Sequence, residues 1–386
     1  MPLKPFEWTY SCTKVHFGPS SEESLRQYIK GVKKVVIVSG RLAAKASGAL
    51  DDVTSILREQ GVEYVTYDRV VSNPPSSLAE DLAKYIKETG SEAIIAIGGG
   101  SVIDVSKVAA AIVGSGGSAL DYLYGKRKAS SCIPVYAVNL THGTGSEVNR
   151  YANLTDVTSG DKLGNEVCYP RASFDDPRYT LSMPKEQVLC TAFDALYHAY
   201  ESATTVGSPP LVWTLAKEVV SRISESLPKA VLNLKDEGSR YWLMYSSMLA
   251  GVAIDISPTN IIHQVENILS GLVPSLPHGC GLAIIGPTLA PIVHSASPEV
   301  SASLLRILSP GKDIASPDDA ARALSEFEES VGFNKRLGDY GIGKDIVRET
   351  VRRAFNNPVV AERLRTRLGG AVIDEGRLTQ LLMSVI

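Results

Sequence analysis

The N-terminal part of the chain alternates between short apolar segments rich in β-branched residues and longer amphipathic segments, and this alternation restricts the fold most. Short β-branched segments are typical of buried strands. The predicted strands are Lys34–Val38, Glu63–Tyr67, Glu92–Ile97 and Ile133–Val138, and the predicted helices between them are Ala43–Gln60, Leu78–Thr89 and Val102–Val113. Strands that alternate with helices in this way form a parallel sheet with right-handed crossovers.

The pattern becomes helical from about Pro184 and stays helical to the end of the chain. The segment Leu140–Pro170 lies between the two patterns and is predicted to be irregular or a hairpin. The next predicted helices are Pro184–Ala203, Leu211–Ser226, Arg240–Ile256 and Thr259–Leu272. A chain of 386 residues can form two hydrophobic cores. We therefore predict an α/β domain with a parallel sheet over residues 1–180 and an all-α domain over residues 181–386, with a cleft between them.

Charge and cysteine content exclude several classes of protein. The net charge is -3, from 39 basic and 42 acidic residues, and no block of Lys or Arg predicts a nucleic-acid or membrane-surface partner. No signal peptide is evident, and the apolar stretch Gly279–His294 is short and broken by two prolines. The five cysteines form no CxxC pair, which favours free thiols in a reducing cytoplasm. We expect a cytoplasmic protein that acts on small molecules.

Two glycine-rich loops follow neighbouring predicted strands. Gly98-Gly99-Gly100-Ser101 lies between a strand and a helix, where glycine lets the backbone approach a phosphate and the helix offers free N–H groups. It is not the GxGxxG fingerprint, and a tight turn without a ligand is the alternative. The second loop, Thr141–Glu147, follows the next strand. Both loops are expected at the carboxyl edge of the sheet, where open α/β folds bind ligands.

A third group of residues has the composition of a metal site. Asp194 and His198 are four residues apart, which places both side chains on one face of a helix. A surface hydrogen bond is the alternative for this pair by itself. Downstream, His263 and His278 offer two further imidazoles. Three imidazoles and one carboxylate suit Fe(II) or Zn(II) better than Ca²⁺ or Mg²⁺, which prefer oxygen ligands.

The motifs of this chain, and their order, resemble those of the iron-containing, or group III, alcohol dehydrogenase family. The matching motifs are Asn73-Pro74, Gly98–Ser101 with Asp104 and Lys107, Thr141–Glu147, Asp176-Pro177, Asp194–Glu201, His263 and Pro277-His278-Gly279. The resemblance implies a dinucleotide-binding α/β domain followed by a helical metal-binding domain, as in dehydroquinate-synthase-like folds. It further implies a homodimer and an oxidoreductase that transfers hydride between a nicotinamide cofactor and a primary alcohol or aldehyde.

The resemblance also implies roles for individual residues. The implied metal ligands are Asp194, His198, His263 and His278. Gly99, Gly100 and Ser101 are implied to hold the cofactor diphosphate, and Thr141, Thr144 and Lys162 are implied near the ribose and nicotinamide. The other predicted cofactor-binding residues are Asn73, Gly98 and Ser146, together with Gly40 and Arg41, which depart from the family pattern. For Asp104 and Lys107 we favour a structural role over an exposed helical charge pair. A bound metal ion would polarise the substrate oxygen, and the protein would place C4 of the nicotinamide beside the reacting carbon.

Departures from the family pattern lead to two further predictions. Many relatives carry an acidic residue after the first strand, where this chain has Gly40 and Arg41. Arginine can pair with a 2′-phosphate that a carboxylate would repel, so we predict a preference for NADP(H) over NAD(H). A solvated Arg41 at a helix start is the alternative. Relatives often carry a histidine where this chain has Asn267, which cannot shuttle a proton, and His142 is our hypothesis for its replacement.

We therefore predict a metal-dependent, NADP(H)-preferring alcohol dehydrogenase or aldehyde reductase. Fourteen residues separate His263 from His278, one more than in similar sequences, so the substrate pocket beside Gly271–Pro277 is expected to differ. A polyol dehydrogenase of the glycerol type is the first alternative. A metal-dependent sugar-phosphate cyclase, which is a lyase, is the second, although no Lys/Arg cluster lies around His263–Cys280. A non-catalytic binding protein would have little use for the intact ligand set.

Overall fold

Six parallel strands form the centre of the N-terminal unit. In the computed structural model, which describes residues 12–369 and 373–386, this unit comprises residues 12–184 together with Leu234–Met244. The strands are β1 (Lys14–Phe17), β2 (Lys34–Ser39), β3 (Glu63–Tyr67), β4 (Ala93–Gly98), β5 (Val135–Asn139) and β8 (Ala172–Asp175). Their order is β1-β8-β5-β4-β2-β3, and every pair is parallel. The predicted α/β fold with a parallel sheet is confirmed.

Alternate residues of the central strands pack into two different hydrophobic clusters. Val36 and Ile94 belong to one cluster, while their neighbours Val35 and Ile95 belong to the other. Successive side chains of a strand point to opposite faces, so burial on both faces explains why these strands are continuously apolar. The strands β1 and β8 were not predicted, because each has only four residues and no β-branched run.

Helices flank the sheet and position the predicted loops. They are α1 (Ala43–Ala46), α2 (Ala49–Glu59), α3 (Ser76–Thr89), α4 (Gly100–Ser115) and α5 (Ala119–Leu123), with 3-10 helices at Ser21–Gln27 and Pro177–Ser182. The single helix predicted over Ala43–Gln60 is wrong. Gly48 has a φ of 86°, in the left-handed region that interrupts a helix, and it separates α1 from α2.

The segment predicted as irregular or hairpin contains an antiparallel hairpin. Its strands are β6 (Tyr151–Thr155) and β7 (Lys162–Glu166). Ala152 and Leu154 alternate with less buried neighbours and join the hydrophobic cluster that contains α4. One face of the hairpin is therefore part of the core.

The second unit is helical and comprises Lys185–Asn233 and Tyr245–Ile386. Its helices are α6 (Lys185–Thr204), α7 (Pro210–Leu232), α9 (Ile261–Leu272), α10 (His278–Ala296), α11 (Pro298–Leu308), α12 (Pro317–Ser330), α13 (Lys344–Asn356), α14 (Pro358–Thr366) and α15 (Glu375–Met383), with a 3-10 helix at Leu337–Tyr340. Helix α8 (Glu237–Ile256) belongs to this unit from Tyr245 onward. The units divide next to Pro184, close to the predicted boundary after residue 180. Leu234–Met244, which was predicted in the helical domain, groups with the N-terminal unit.

Helices α6 and α10 approach each other closely in the helical unit. A Cβ atom at Gly279 would lie 1.7 Å from the carbonyl oxygen of Cys190, and one at Gly286 would lie 2.1 Å from Oη of Tyr197. No larger residue fits at either position without moving the backbone or a buried ring. These two glycines therefore determine how closely α10 packs on α6.

Helix α10 is also the one helix, among the described residues, whose length and composition would allow it to cross a membrane. Its mean hydropathy over the best window is 1.3, and 67% of that window is buried inside the protein. Core helices of soluble proteins have the same properties. The burial is consistent with the prediction that α10 does not span a bilayer.

The prediction of free thiols is wrong for four of the five cysteines. Cys132 is paired with Cys168 in the N-terminal unit, and Cys190 is paired with Cys280 in the helical unit. Cys12 is exposed and free. The partners are 36 and 90 residues apart in sequence, so no local spacing motif predicts them. The second disulfide joins α6 to α10.

Candidate metal centre and cofactor loops

Helix α6 carries the first two predicted ligands on a buried face. Asp194 and His198 are 3% and 7% exposed. Nδ1 of His198 lies 3.5 Å from Oδ1 of Asp194, as the spacing of four residues predicts. The pair is therefore not a surface hydrogen bond.

Two further helices bring imidazoles to the same carboxylate. Nε2 of His263, near the start of α9, lies 3.5 Å from Oδ1 of Asp194, and Nε2 of His278, the first residue of α10, lies 3.6 Å from it. Potential ligand atoms of Asp194, His263 and His278 all lie within 4.8 Å of one another. His198 lies beside this group, with its ring stacked 4.4 Å from that of His263. The structure thus brings together all four predicted ligands, three of them in a compact set.

The donor atoms fit a divalent cation. Oδ1 of Asp194 and Nε2 of His263 are buried and, among the described residues, have no hydrogen-bond partner. Buried polar atoms without partners are rare in folded proteins, and a cation between these two would satisfy both. Burial raises the pKa of Asp194, but the three nearby imidazoles outweigh it and hold the pKa below its ordinary value. An ionised carboxylate with imidazoles is a donor set for a first-row transition metal.

Two buried glutamates that the sequence analysis did not assign to the site bond to two of the histidines. Glu201 accepts a hydrogen bond from Nδ1 of His263, and Glu266 accepts one from Nδ1 of His278. Both glutamates are fully buried. A proton held on Nδ1 leaves Nε2 as the free ligand atom. Glu201 could have been found from its spacing, since it lies three residues after His198 on the same helix.

Glu201 also supports the backbone at the start of α9. Its Oε1 accepts the N–H groups of Asn260 and Ile262 at 3.0 and 2.8 Å, and its Oε2 accepts that of His263 at 3.1 Å. A carboxylate at a helix N-terminus is stabilised by the helix dipole and by the free N–H groups. Glu201 therefore holds α9 in place on α6 as well as orienting a ligand.

The two glycine-rich loops of the N-terminal unit follow the paired strands β4 and β5, at the predicted edge of the sheet, and they contact each other. A Cβ atom at Gly99 would lie 2.7 Å from the side chain of Thr141, and one at Gly100 would lie 2.5 Å from that of Thr144. Helix α4 begins at Gly100 and has no side-chain cap. Its first N–H groups are therefore available to an anion, which is the geometry that phosphate-binding turns use.

The other predicted cofactor residues have varied surroundings. Lys162, which is 8% exposed, donates from Nζ to Oδ1 of Asn73 at 2.9 Å, so these two lie together. Gly40 follows β2, and a Cβ atom there would lie 3.2 Å from the carbonyl oxygen of Val70. Arg41 is exposed, and Ser101 is half-buried in the first turn of α4.

Ser146 is buried and belongs to a hydrogen-bond network within the protein. Its hydroxyl donates to Oδ1 of Asp104 at 2.5 Å and accepts from Nζ of Lys107 at 2.6 Å. Lys107 is fully buried and also donates to the backbone carbonyl of Tyr151 at 2.8 Å. Burial excludes the alternative of an exposed charge pair for Asp104 and Lys107. The network joins α4 to the second glycine-rich loop and to β6, which agrees with a structural role.

The hypothesis that His142 replaces a proton shuttle is not supported by its surroundings. His142 is fully buried, and Nη1 of Arg240 lies 3.1 Å from its Nε2. Burial, followed by the positive charge of Arg240, lowers the pKa of His142 to about 3. A neutral imidazole that accepts a hydrogen bond from arginine takes up no proton near neutral pH.

We expect His142→Asn to leave the pH dependence of kcat/KM unchanged through the neutral and alkaline range, because asparagine can still accept the bond from Arg240. We expect the substitution to change the free energy of unfolding at acidic pH instead. The folded pKa of about 3 lies below the unfolded value of 6.5, so the wild type loses stability as the pH falls through this window. Urea unfolding at several pH values should show a smaller acid loss in the variant. Loss of a pKa from the rate profile would restore the shuttle hypothesis.

Comparison with known families and sequences gives a consistent result. The family described as "Iron-containing alcohol dehydrogenase" matches residues 12–177, and "Fe-containing alcohol dehydrogenase family, C-terminal" matches residues 188–367. The chain is 34% identical over 367 residues to the long-chain primary alcohol dehydrogenase AdhA of Thermoanaerobacter ethanolicus, with 92% of each protein covered. It is 29% identical to long-chain-alcohol dehydrogenase 1 of Geobacillus thermodenitrificans, with 88% of each covered.

Solved structures agree with these matches over almost the whole chain. The NADH-dependent butanol dehydrogenase A of Thermotoga maritima superposes with a TM-score of 0.88 at 25% identity, covering 98% of both chains. An iron-containing alcohol dehydrogenase of the same organism has a TM-score of 0.85 at 27% identity, covering 98% of this chain and 99% of the other. The matches span both units and include every residue of the donor set. This chain belongs to the iron-containing alcohol dehydrogenase family.

Proposed function

We propose that this alcohol dehydrogenase is metal-dependent and works mainly as an aldehyde reductase. It transfers hydride from NADPH to an aldehyde, and the product is the primary alcohol. The observation that carries the proposal is the buried donor set, in which Oδ1 of Asp194 and Nε2 of His263 have no hydrogen-bond partner within the described part of the chain. Such a set has no evident structural use without a cation.

The proposed metal ligands are Asp194, His198, His263 and His278, with Fe(II) as the expected ion and Zn(II) as the alternative. Iron is the ion named in the family description. When bound, the metal would supply Lewis acidity toward the substrate oxygen. The chain's own contribution is to keep Asp194 ionised. It also leaves Nε2 of His263 and of His278 free to coordinate, because Nδ1 of each ring is bonded to a glutamate.

The proposed cofactor site uses the contacting loops at Gly98–Ser101 and Thr141–Ser146, together with Asn73 and Lys162. The uncapped N-terminus of α4 supports binding of the diphosphate there. Near the ribose we propose Gly40 and Arg41. In the described structure Arg41 makes no ion pair or hydrogen bond, so its guanidinium is available to a 2′-phosphate. This preference for NADP(H) is proposed for this chain although one structural relative is named as NADH-dependent.

Arg41→Ala is expected to lower kcat/KM for NADPH by about 10- to 100-fold, because a hydrogen bond to a charged group contributes about 1.5–3 kcal/mol. Efficiency with NADH should stay within about twofold, since NADH has no 2′-phosphate. Steady-state kinetics with both cofactors would test this, with the exposed Arg58→Ala as the control. An equal fall with both cofactors, or a wild type that prefers NADH, would contradict the proposed preference.

The proposed activity is tested by NADPH consumption with a panel of short and aromatic aldehydes. The protein is first stripped of metal and then reloaded anaerobically with Fe(II) or Zn(II). Activity should vanish on stripping and return on reloading, and the more effective ion identifies the working metal. Glycerol oxidation with NAD as the dominant activity would favour a polyol dehydrogenase instead, and turnover restricted to a phosphorylated sugar would favour a cyclase.

We also propose a homodimer, which the resemblance of the sequence to the family implies. Light scattering on the purified protein would give the oligomeric state. A single 41.4 kDa species at micromolar concentration would rule the dimer out.

A further inference from the structure

We infer that Glu266 is a positioning residue of the metal centre, which holds His278 in the orientation needed for coordination and makes metal binding tight. The inference rests on the proposed metal centre. Glu266 is not one of the motif residues that carry the family resemblance, and it follows the ligand His263 by three residues on α9.

His278 is the most exposed of the three histidines in the donor set, and it bonds to Glu266. Its side chain is 21% exposed, compared with 5% for His263 and 8% for His198. It is also the first residue of α10, directly after Pro277 at the N-cap. Among the described residues, the ring of His278 donates from Nδ1 to Oε2 of Glu266 and lies edge-to-face to the ring of His263, with centroids 5.3 Å apart. The hydrogen bond is the contact that fixes which ring nitrogen carries the proton. With Nδ1 protonated, Nε2 is directed toward Asp194 at 3.6 Å.

The packing of α10 leaves space for this carboxylate. A Cβ atom at Gly281 would lie 2.5 Å from Oε1 of Glu266 and 2.8 Å from its Cγ. Gly281 follows His278 by three residues, so both lie on the face of α10 that meets Glu266. Any side chain at Gly281 would displace the glutamate from its bond to His278.

Glu266 differs from Glu201 in what else it supports. Glu201 accepts three backbone N–H groups around the start of α9. Among the described residues, Glu266 accepts hydrogen bonds only from His278 and from Oγ of Ser270, the latter at 3.3 Å, and its Oε1 has no partner. A buried carboxylate with so few donors is costly for the metal-free fold. Glu266 therefore contributes to the metal centre and has no capping role for the backbone.

The test is the affinity for Fe(II) or Zn(II) alone, measured by competition with a chromophoric chelator in the absence of substrate. Glu266→Ala should weaken binding by about 10- to 100-fold, as is usual when a partner of a metal-bound histidine is removed. Glu266→Gln should weaken it less, because the amide oxygen still accepts from Nδ1 but carries no charge. Gly281→Ala should act in the same direction as Glu266→Ala. The exposed Glu225→Gln is the matched control and should bind like the wild type.

The outcomes separate this inference from the proposed function. Wild-type affinity in all three variants would overturn the role of Glu266 while leaving the metal centre intact. A wild type that binds neither ion would overturn the metal centre and this inference together. Thermal unfolding of the metal-free proteins gives the second readout: a lower Tm with unchanged metal affinity would assign Glu266 a purely structural role and contradict the inference.

Discussion

Asp194→Asn is expected to abolish metal binding and to lower kcat/KM by about 1000-fold or more. Asp194 supplies the one carboxylate of the compact donor set, and two imidazole Nε2 atoms face its Oδ1 at 3.5 and 3.6 Å. Asparagine has the same shape but no charge, so the site would lose its one anionic ligand and would offer a cation only the three imidazoles. Metal activation of a substrate oxygen contributes several kcal/mol, and about 4 kcal/mol corresponds to this factor in rate.

Metal content after reconstitution and steady-state kinetics would be measured on the same protein samples. Asp318→Asn, at an exposed position in the first turn of α12, is the control and should retain both metal and activity. The variant should still fold, because the amide can bond to the neighbouring imidazoles. Full metal occupancy together with wild-type turnover in Asp194→Asn would refute the assignment of the metal centre.

Removal of the Cys190–Cys280 disulfide is expected to lower the free energy of unfolding by about 2–5 kcal/mol. The bond closes a loop over 90 residues, compared with 36 for Cys132–Cys168, and a longer loop removes more entropy from the unfolded chain. It joins α6 to α10, which carry Asp194 and His278, so we expect weaker metal retention as well.

Cys190→Ala, Cys280→Ala and the double variant should have nearly the same stability, because each removes the same bond. Guanidinium unfolding with and without a reductant would measure this, and the reduced wild type should resemble the variants. Cys12→Ala is the control, since Cys12 is exposed and free. Four titratable thiols besides Cys12 in the denatured, unreduced wild type would show that neither disulfide forms.

Local patterns in the sequence predicted the parts of the fold that depend on local physics. The strands β2 to β5 were predicted within two residues at each end, because buried parallel strands require continuous apolar runs. Two strands were missed, since a four-residue strand has too few side chains to show a period. The break between α1 and α2 was missed because its cause is the positive φ of a single glycine, Gly48.

The sequence by itself determined the parallel sheet, the placement of both glycine-rich loops at its carboxyl edge and the pairing of Asp194 with His198, because each follows from residue spacing within one element or from the order of neighbouring strands. Only the tertiary structure decided that Glu266 bonds to His278, that Cys190 meets Cys280, and that His142 is buried against Arg240. These contacts join residues from different parts of the chain. Their positions depend on how whole helices pack, which residue spacing within one element does not predict.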